Sequence, residues 1–395
     1  MTTTAIGHTG DALITPEALE QLRARLGLEF PAKPWNTVAT EDSIRHFAEG
    51  IGDENPLFSD PDHAERTRWG AVVAPPTFLN TFSNASFSGA RAGLPGVFAL
   101  WAGDVWELDR PTRNGDRVTA TEKLIGAEEK SSRWGGRSVH QILLTTYRDS
   151  RGREVGRRIG RIVRAERSQA RDQGKYAEAA TGKYRYTDEE LAAIERDYDA
   201  EHVRGAEPRF WEDVQVGDDL GHVVKGPLTS VDMVTFVMGW GSPLCKAHGI
   251  AHRYMRRHPG SAIIDPETNV REFPESAHWD EALARRSGVY AGYDIGEQRI
   301  AWFGNLLTNW IGDDGFIRRL EVRLKRPNFL ADTTWIRGRV VDKLGRDGEH
   351  LVACEMTGDD QRGQRNSDGT ALVWLPSRAA GTWPAEVLRE RWGGW

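Results

Sequence analysis

The sequence predicts an α+β protein of two similar domains, in each of which an antiparallel β-sheet wraps around a central helix. Three observations lead to this fold class. The 395 residues of the chain suffice for two domains that each bury a core. A charge-rich stretch separates two better-patterned regions, and both regions give the same order of elements. We therefore predict a first domain over residues 1–165, a linker with a helix over 166–208 and a second domain over 209–395.

The first half opens with a short helix, which is predicted over Thr40–Gly50. Ala74-Pro75-Pro76 then lead into the segment Thr77–Ala90, which is the candidate central helix. Polar residues interrupt that segment, so we expect a helix that is less buried or less regular. Strands are predicted where β-branched and apolar residues lie between turn signals. They cover Val97–Leu108, Asp116–Ile125, Ser138–Arg148 and Val155–Arg164.

The second half repeats this order around an insertion. A strand is expected to begin at Phe210–Val214, and a helix is expected over Ser230–Gly239. An insertion over residues 242–273 precedes the central helix, which runs from Gly296 to about Trp310. That helix is apolar on nearly all sides, as a helix must be when a sheet curls over it. The predicted strands are Gly315–Lys325, Thr333–Leu344, His350–Thr357 and Thr370–Leu375.

The composition argues against several classes of protein. A net charge of −6 disfavours a nucleic-acid partner, although 52 basic residues leave room for a local phosphate-binding site. No apolar run reaches the roughly 18 to 20 residues that span a bilayer. Residues 1–10 lack the features of a secretory signal, and two cysteines are too few for a disulfide framework. We expect a cytoplasmic protein with neither a nucleic-acid nor a membrane partner.

Two stretches of the chain share one spacing. The first reads Asp53-Glu54-Asn55-Pro56-Leu57-Phe58, and Pro76 stands eighteen residues after Phe58. In the second, Gly296 stands eighteen residues after His278. Both resemble the motif of the MaoC-like hotdog family, approximately Asp-x-Asn-Pro-x-His followed at this spacing by the Gly that opens the central helix. The family includes (R)-specific enoyl-CoA hydratases and acyl dehydratases. The resemblance covers most of both halves and implies two hotdog domains fused in one chain.

The resemblance implies an activity: hydration of a 2-enoyl-CoA thioester or dehydration of a 3-hydroxyacyl-CoA thioester. In the family, an Asp and a His handle water and protons. The backbone N–H at the start of the central helix, aided by the helix dipole, supports the thioester oxygen as negative charge develops there. The resemblance thus implies an acyl-CoA or another acyl thioester as the substrate, and it implies neither a redox cofactor nor a metal.

The first half departs from the motif at two positions that carry the chemistry. Phe58 stands where the family has His, and a phenyl ring cannot transfer a proton. Pro76 stands where the family has Gly, and proline has no N–H. Asp53 and Asn55 then act as loop caps and turn residues rather than catalytic groups. This half is expected to be a non-catalytic partner that helps to shape the acyl tunnel.

The second half keeps His278 and Gly296 as candidate catalytic residues. It has Phe273 where the family has Asp, and Glu275 at the Asn position. The sequence therefore leaves open which carboxylate assists His278. Glu275 is the first choice because it lies on the same loop, while Asp265 or Glu267 of the insertion could fold back.

Further residues are candidates for substrate binding. Tyr293 and Asp294 precede Gly296 and line the predicted pocket, unless they only form a tight turn into the helix. Trp302 is one of fifteen tryptophans, which either fill the core or line a reshaped pocket for a bulky substrate. Arg323 and Lys325 share one face of a predicted strand. That face is either solvated or in contact with the phosphates of coenzyme A.

Three alternatives remain: a metal site, a chain without hydratase activity, and a dehydratase or isomerase that acts on a bulky or cyclic substrate. His248 and His252 stand at i and i+4, as in some zinc sites, but no Glu follows His248 as in the metalloprotease motif. Because the family's Asp is missing beside His278, the chain could also be an acyl-thioester binding module or a partner subunit without hydratase activity. Hotdog domains commonly join through their sheets, so the two halves are expected to pair with each other, and two chains to form a homodimer.

Overall fold

The computed structural model describes residues 13–83, 89–94, 97–132, 136–166, 182–258, 262–286 and 289–394. Helices and antiparallel strands within them form an α+β hotdog architecture, as predicted. Ten strands make one continuous sheet, to which each half of the chain contributes five.

The strands of the first half agree with the prediction, with their ends shifted, and a short edge strand precedes them. They are β1 (Glu29–Pro31), β2 (Phe98–Leu108), β3 (Val118–Ser132), β4 (Gly136–Asp149) and β5 (Glu154–Ala165). The helices are short, and the predicted Thr40–Gly50 helix is the second of them. They are α1 (Pro16–Arg23), α2 (Glu41–Ile51), α3 (Pro56–Ser59) and α4 (Pro61–Arg66).

The central helix predicted over Thr77–Ala90 is replaced by 3-10 turns at Pro76–Phe82 and Gly89–Arg91. Residues 84–88 of that prediction lie outside the described residues. Two of the polar residues that interrupt the pattern, Asn80 and Ser83, turn toward the sheet. Asn80 Oδ1 accepts a hydrogen bond from Arg158 Nη1 at 2.5 Å, and Ser83 Oγ lies 2.8 Å from Tyr147 Oη. These side-chain bonds hold an irregular backbone, which confirms the expected loss of regularity in the described part.

The second half contains the long central helix that was predicted. A helix, α5 (Asp188–Asp199), lies in the predicted linker, and α6 (Ser230–Trp240) follows the first strand of this half. The insertion forms α7 (His248–Arg257) and a two-stranded ribbon, and a 3-10 turn at Pro274–His278 follows it. Then come α8 (Glu281–Arg286), the central helix α9 (Gly296–Ile311) and, near the end of the chain, α10 (Pro384–Arg391). The strands are β6 (Asp219–Lys225), β7 (Ile263–Ile264), β8 (Arg271–Glu272), β9 (Phe316–Leu324), β10 (Thr334–Arg346), β11 (Glu349–Asp360) and β12 (Arg365–Trp374).

The prediction that a strand begins at Phe210–Val214 is wrong. That segment is a 3-10 turn, Trp211–Asp213, and the strand starts only at Asp219. The turn is anchored by its side chains: Trp211 Nε1 donates to the Leu351 carbonyl at 3.0 Å, and Glu212 Oε1 accepts from Ser377 Oγ at 2.5 Å. The large side chains of this segment are typical of a strand, but here long-range contacts hold them in a turn.

The two halves join through their sheets, as expected. The strand order is β1-β3-β4-β5-β2-β9-β12-β11-β10-β6, so β2 of the first half pairs with β9 of the second. This pairing is antiparallel and places Gly103 opposite Arg323 and Glu107 opposite Arg319. Helix α9 packs on the inner face of the sheet with most of its residues buried, including Phe303 and Leu307. None of the helices among the described residues is both long and apolar enough to span a bilayer.

Candidate active site at the start of the central helix

Helix α9 begins with backbone N–H groups that no side chain caps. Ile295 occupies the N-cap position and offers no side-chain oxygen, while the amides of Gln298 and Arg299 both donate to the Ile295 carbonyl. The amides of Gly296 and Glu297 have no acceptor in the part of the chain that the structure describes. Two N–H donors at the positive end of the helix dipole are therefore available to an oxygen atom that carries negative charge.

Gly296 is required at this position by close packing between the halves. A Cβ atom there would lie 2.8 Å from the Cβ of Trp101 on β2 and 3.1 Å from Leu324 Cδ1 on β9. Contacts under 3.0 Å between such atoms force the backbone to move. The start of the central helix thus lies directly against the junction of the two half-sheets.

His278 ends the 3-10 turn that precedes α8. Its Nδ1 lies 2.8 Å from the backbone carbonyl of Tyr293, and the two rings are 4.4 Å apart. A carbonyl can only accept, so Nδ1 carries the proton and Nε2 of the neutral ring is a proton acceptor. Burial lowers the pKa of His278, although the Tyr293 carbonyl and the charge of Glu297 oppose this effect. The ring is therefore neutral near pH 7 and able to act as a base.

Glu275 lies in the same 3-10 turn, three residues before His278, so the two side chains share one face of that turn. Its Oε1 accepts a hydrogen bond from Ser242 Oγ at 2.7 Å, and its Oε2 is buried without a partner among the described residues. Burial raises the pKa of this carboxyl to about 7. Glu275 is therefore close to His278 along the chain but enclosed by the start of the insertion.

Glu297, the second residue of α9, is a carboxylate that the sequence analysis missed. Its side chain is 11% exposed, and its charge acts on the pKa of both His278 and Glu275. Its Oε1 lies 3.4 Å from Arg158 Nη2 of the first half. The sequence did contain a signal for Glu297: it directly follows the glycine that opens the helix, so both residues must lie at the helix terminus.

Arg158 carries a buried positive charge from the first half into this site. Its Nε donates to Asp104 Oδ2 at 2.8 Å, and its guanidinium stacks 4.3 Å from the Trp101 ring. Burial disfavours the charged guanidinium, but Asp104 and Glu297 together raise the pKa of Arg158. Burial also raises the pKa of Asp104 to about 6. Arg158 is consequently a permanent cation between two carboxylates.

The residues predicted just before α9 have different surroundings. Tyr293 lies against the His278 ring, whereas Asp294 forms a buried pair with Arg299, whose Nε donates to Asp294 Oδ2 at 2.5 Å. Arg299 Nη2 contacts the other oxygen of Asp294, so both carboxylate oxygens are engaged within the protein. Trp302 lies farther along α9, in the core. Of these residues, Tyr293 is the one that the structure places beside His278.

Arg323 and Lys325 lie on the other face of β9 from the start of α9. Leu324 contacts the position of Gly296, and neighbouring residues of a strand point to opposite faces. Arg323 Nε donates to Asp368 Oδ1 at 2.7 Å, and Lys325 contacts the same carboxylate. The two side chains are 61% and 45% exposed, so a partner in solution can reach them.

The local roles predicted for Asp53 and Asn55 are confirmed by hydrogen bonds, and Asp280 makes a similar cap. Asn55 Oδ1 accepts from the Leu57 amide at 3.0 Å at the start of α3, and Asp53 Oδ1 accepts from the Asn55 amide at 3.1 Å. Asp280 caps α8 by accepting from the Leu283 amide at 2.9 Å. As for a metal, the described residues contain no group of three or more His, Cys, Asp or Glu side chains placed to hold an ion.

Comparison with known proteins supports this architecture. The family model for the FAS1-like dehydratase domain region matches residues 24–158. A UPF0336 protein of Streptomyces coelicolor is 33% identical over 111 residues, which cover 27% of this chain and 72% of that protein. A protein of Thermomonospora curvata named "Probable enoyl-CoA hydratase alpha subunit" is 28% identical over 139 residues, or 31% of this chain.

Some of these matches are partial. The chain spans 43% of the length of the Thermomonospora curvata protein and 58% of a UPF0336 protein of Streptomyces avermitilis, to which it is 36% identical over 87 residues, or 21% of this chain. Their sequence similarity to this chain therefore covers about half of each relative.

Solved structures share the fold over nearly the whole chain. A structure described as a MaoC-like dehydratase covers 90% of this chain and 99% of its own, with a TM-score of 0.62 and 18% identity. A Mycobacterium tuberculosis protein described as having a double hotdog fold covers 89% of this chain and 96% of its own, with a TM-score of 0.51 and 13% identity. The fold class predicted from the sequence is confirmed, and the chain belongs to the MaoC-like hotdog dehydratase family.

Proposed function

We propose that this chain hydrates a 2-enoyl thioester, or dehydrates the corresponding 3-hydroxyacyl thioester, at the start of α9. The observation that carries the proposal is the combination of a neutral His278, with Nε2 as proton acceptor, and two uncapped N–H groups at Gly296 and Glu297. Acid–base chemistry next to a stabilised oxyanion is what this reaction requires.

In the direction of hydration, the thioester oxygen accepts hydrogen bonds from the Gly296 and Glu297 amides. His278 Nε2 removes a proton from water as the water oxygen bonds to C3, and the electrons of the double bond move toward the thioester oxygen. The imidazolium then returns a proton to C2, which restores the thioester carbonyl. Dehydration follows the same steps in reverse. The direction depends on the concentrations of the two thioesters, since an enzyme accelerates both.

We assign the assisting carboxylate to Glu297, ahead of the predicted Glu275. The Glu297 side chain is partly exposed, and the amide of the same residue faces the oxyanion. The carboxylate can therefore orient the attacking water. Glu275 has one oxygen on Ser242 and the other enclosed. Its role in this proposal is electrostatic: its ionisation adds negative charge close to His278 and Glu297.

The site proposed here draws on both halves. We keep the catalytic groups in the region 209–395 and treat 1–165 as a partner that lacks its own chemistry, because Phe58 transfers no proton and Pro76 donates no hydrogen bond. The first half nevertheless supplies Arg158 and Trp101 to the site. The domain bounds, the linker over 166–208, the cytoplasmic location and the homodimer stay predictions. The β2 edge is already paired with β9, so a sheet-to-sheet dimer would use β1 or β6.

An absorbance assay with purified protein and a series of enoyl-CoA thioesters tests the activity. Crotonyl-CoA and longer or branched enoyl-CoAs lose their conjugated absorbance when they are hydrated. We expect turnover of at least one thioester and a loss of roughly 10²–10⁴-fold in His278→Ala, the range for removal of a general acid–base group. His248→Ala, which changes an exposed histidine of the insertion, is the control and should turn over at the parent rate.

Two results would contradict the proposal: no thioester is converted, or His278→Ala is as fast as the parent protein. Saturable binding of acyl-CoA without any conversion would instead support the alternative, a binding module or partner subunit without hydratase activity.

A further inference from the structure

Two arginines on the inner side of the first half have no carboxylate partner. Arg91 ends the 3-10 turn Gly89–Arg91, and Arg164 lies near the end of β5. Among the described residues, no carboxylate forms an ion pair with either guanidinium, and the Nε of each is buried without a hydrogen-bond acceptor. Burying a charge that has no counter-charge is costly. Two such cations close together therefore indicate an anion-binding site.

Arg164 shares the inner face of β5 with Arg158. The two residues are six positions apart, and alternate residues of a strand point to the same face. That face lies against the Trp101 ring, because a Cβ atom at Gly160 would be 2.8 Å from Trp101 Cζ2. Arg164 Nη2 donates to two backbone carbonyls, one of which is that of Val97 at 2.7 Å. These partners are neutral, so they leave the charge of Arg164 unbalanced.

Arg91 lies close to both Arg164 and the start of α9. Its guanidinium is 6.0 Å from the centre of the Trp101 ring, and the Cβ of that tryptophan is the atom nearest to a Cβ at Gly296. Burial and the charge of Arg91 lower the pKa of Arg164 to about 9. Burial also lowers the pKa of Arg91, and the charge of Glu297 is among those that oppose this effect. The pair of arginines is thus within electrostatic range of the candidate active site.

A neutral amide beside Arg164 adds a hydrogen-bond donor and an acceptor. Gln141 of β4 is fully buried and stands opposite Ile162 of β5, which is two positions from Arg164 on the same face. Neither Nε2 nor Oε1 of Gln141 has a partner in the part of the chain that the structure describes. Buried polar groups in proteins are nearly always hydrogen-bonded. Gln141 is therefore available to a polar group that also meets Arg164.

The charges of this cluster favour a carboxylate. Arg158 shows how an arginine on this face is satisfied, since its guanidinium bonds the Asp104 carboxylate and the Asn80 side chain. Arg91 and Arg164 are the same cation without such an acid, and arginine binds carboxylates through two parallel hydrogen bonds. Only 8% of Arg164 is exposed, so the anion must be small and must stand at the end of a chain. A bulky nucleotide does not meet this condition.

We propose that Arg91 and Arg164, together with Gln141, bind a carboxylate at the far end of the substrate's acyl group. The preferred substrates are then thioesters of dicarboxylic acids, with the thioester beside His278 and the free carboxylate between the two arginines. The choice of a thioester rests on the proposed function, whereas the anion site rests on the arginines alone. An acyl group that ends in a hydrocarbon leaves both cations without a counter-charge.

The affinity of saturated thioesters tests the anion site without any turnover, because they have no double bond to hydrate. Hexanedioyl-CoA to dodecanedioyl-CoA are each compared with the monocarboxylic thioester of equal length, by titration calorimetry of the whole protein. We expect the dicarboxylic thioester to bind roughly tenfold more tightly at one length or more, since charge-assisted hydrogen bonds contribute this much. Equal affinities at every length would overturn the proposal.

Arg91→Gln should remove this preference and leave the affinity for the monocarboxylic thioester unchanged. Arg91→Lys keeps the charge and should retain part of the preference. The control is Arg117→Gln, which removes an exposed arginine of the first half and should bind both thioesters as the parent does.

A full preference in Arg91→Gln, shown to be folded by circular dichroism, would also overturn the proposal. If that variant fails to fold, the comparison of thioesters on the parent protein decides alone. The two proposals fail separately: equal affinities of saturated thioesters contradict the anion site, and unconverted enoyl-CoAs contradict the hydratase activity.

Discussion

Arg158 of the first half reaches Glu297 of the second, with 3.4 Å between Nη2 and Oε1. The same guanidinium bonds Asp104 and Asn80, and only 1% of its side chain is exposed. The half that carries Phe58 and Pro76 therefore places a buried cation at the start of α9. This contact makes the candidate site a product of both halves, so the proposed activity should depend on the first half as well.

Arg158→Gln should destabilise the protein and slow the reaction. The change leaves the Asp104 carboxylate buried without its partner, a loss of about 3–5 kcal/mol in the free energy of unfolding. Because Glu297 loses its contact, we also expect turnover to fall by roughly 100-fold. Urea denaturation and the enoyl-CoA assay measure the two effects. Arg161→Gln, on the exposed face of β5, is the control and should cost less than about 1 kcal/mol. Equal stability of the two variants would refute the buried role.

Gly296→Ala and Gly304→Ala should have opposite effects, although both add one methyl group to α9. At position 296 the methyl group meets Trp101 at 2.8 Å, so we expect a loss of about 1–3 kcal/mol and a slower reaction. At position 304 the nearest atoms are 3.8 Å away, and alanine should stabilise the helix by about 0.5–1 kcal/mol. Thermal denaturation compares them. Shifts of the same sign would contradict the packing described here.

Glu275→Gln should change how stability depends on pH. Burial raises the pKa of Glu275 to about 7, above the value near 4.3 of an unfolded chain. The folded protein therefore holds this proton more tightly, and the stabilisation is complete below pH ~4.3 and is lost as the pH rises through about 7. Relative to the parent, the variant should gain stability between pH 5 and pH 8.

Urea denaturation at pH 5 and pH 8 measures this gain. The control is Glu267→Gln, which changes an exposed carboxyl of the same insertion. A difference between Glu275→Gln and the parent that stays constant across this range would mean that Glu275 does not titrate as a buried group.

The reaction rate should remain high at pH values where an ordinary histidine is largely protonated. Burial lowers the pKa of His278 below its usual value of about 6.5. The base must be neutral, so kcat/KM should fall only as the pH drops through this lowered value. A pH–rate profile of the parent protein measures it. An acidic limb centred above 6.5 would show that His278 is not the base.

Arg323→Ala and Lys325→Ala test the predicted contact with coenzyme A. If these side chains bind its phosphates, the KM for an enoyl-CoA should rise several-fold. The KM for the same acyl group on N-acetylcysteamine, which has no phosphate, should not change. Arg339→Ala, an exposed arginine of β10, is the control. Asp368 already neutralises part of this charge. Unchanged KM values for both substrates would show that the two side chains do not bind the phosphates of coenzyme A.

Local signals in the sequence predicted most elements and several of their ends. The apolar pattern from Gly296 to Trp310 matches a helix that ends at Ile311, because a helix that is surrounded by a sheet must be apolar on most sides. Asn55 and Asp280 cap helices two or three residues away, and such contacts can be read from neighbouring positions. The 3-10 turn at Trp211–Asp213 differs from the predicted strand because its anchors at Leu351 and Ser377 are remote in the chain.

For the candidate site, the sequence by itself determined that His278 and Gly296 keep the spacing of the family and that Phe58 and Pro76 cannot do its chemistry. Only the tertiary structure decided which carboxylate and which cation meet there. Arg158 and Glu297 are 139 residues apart, and they approach because β2 pairs with β9 and brings the first half against the start of α9. The protonated nitrogen of His278 was likewise set by a carbonyl on another loop, that of Tyr293. Spacing along one chain segment carries no information on such contacts, because strand pairing between distant segments creates them.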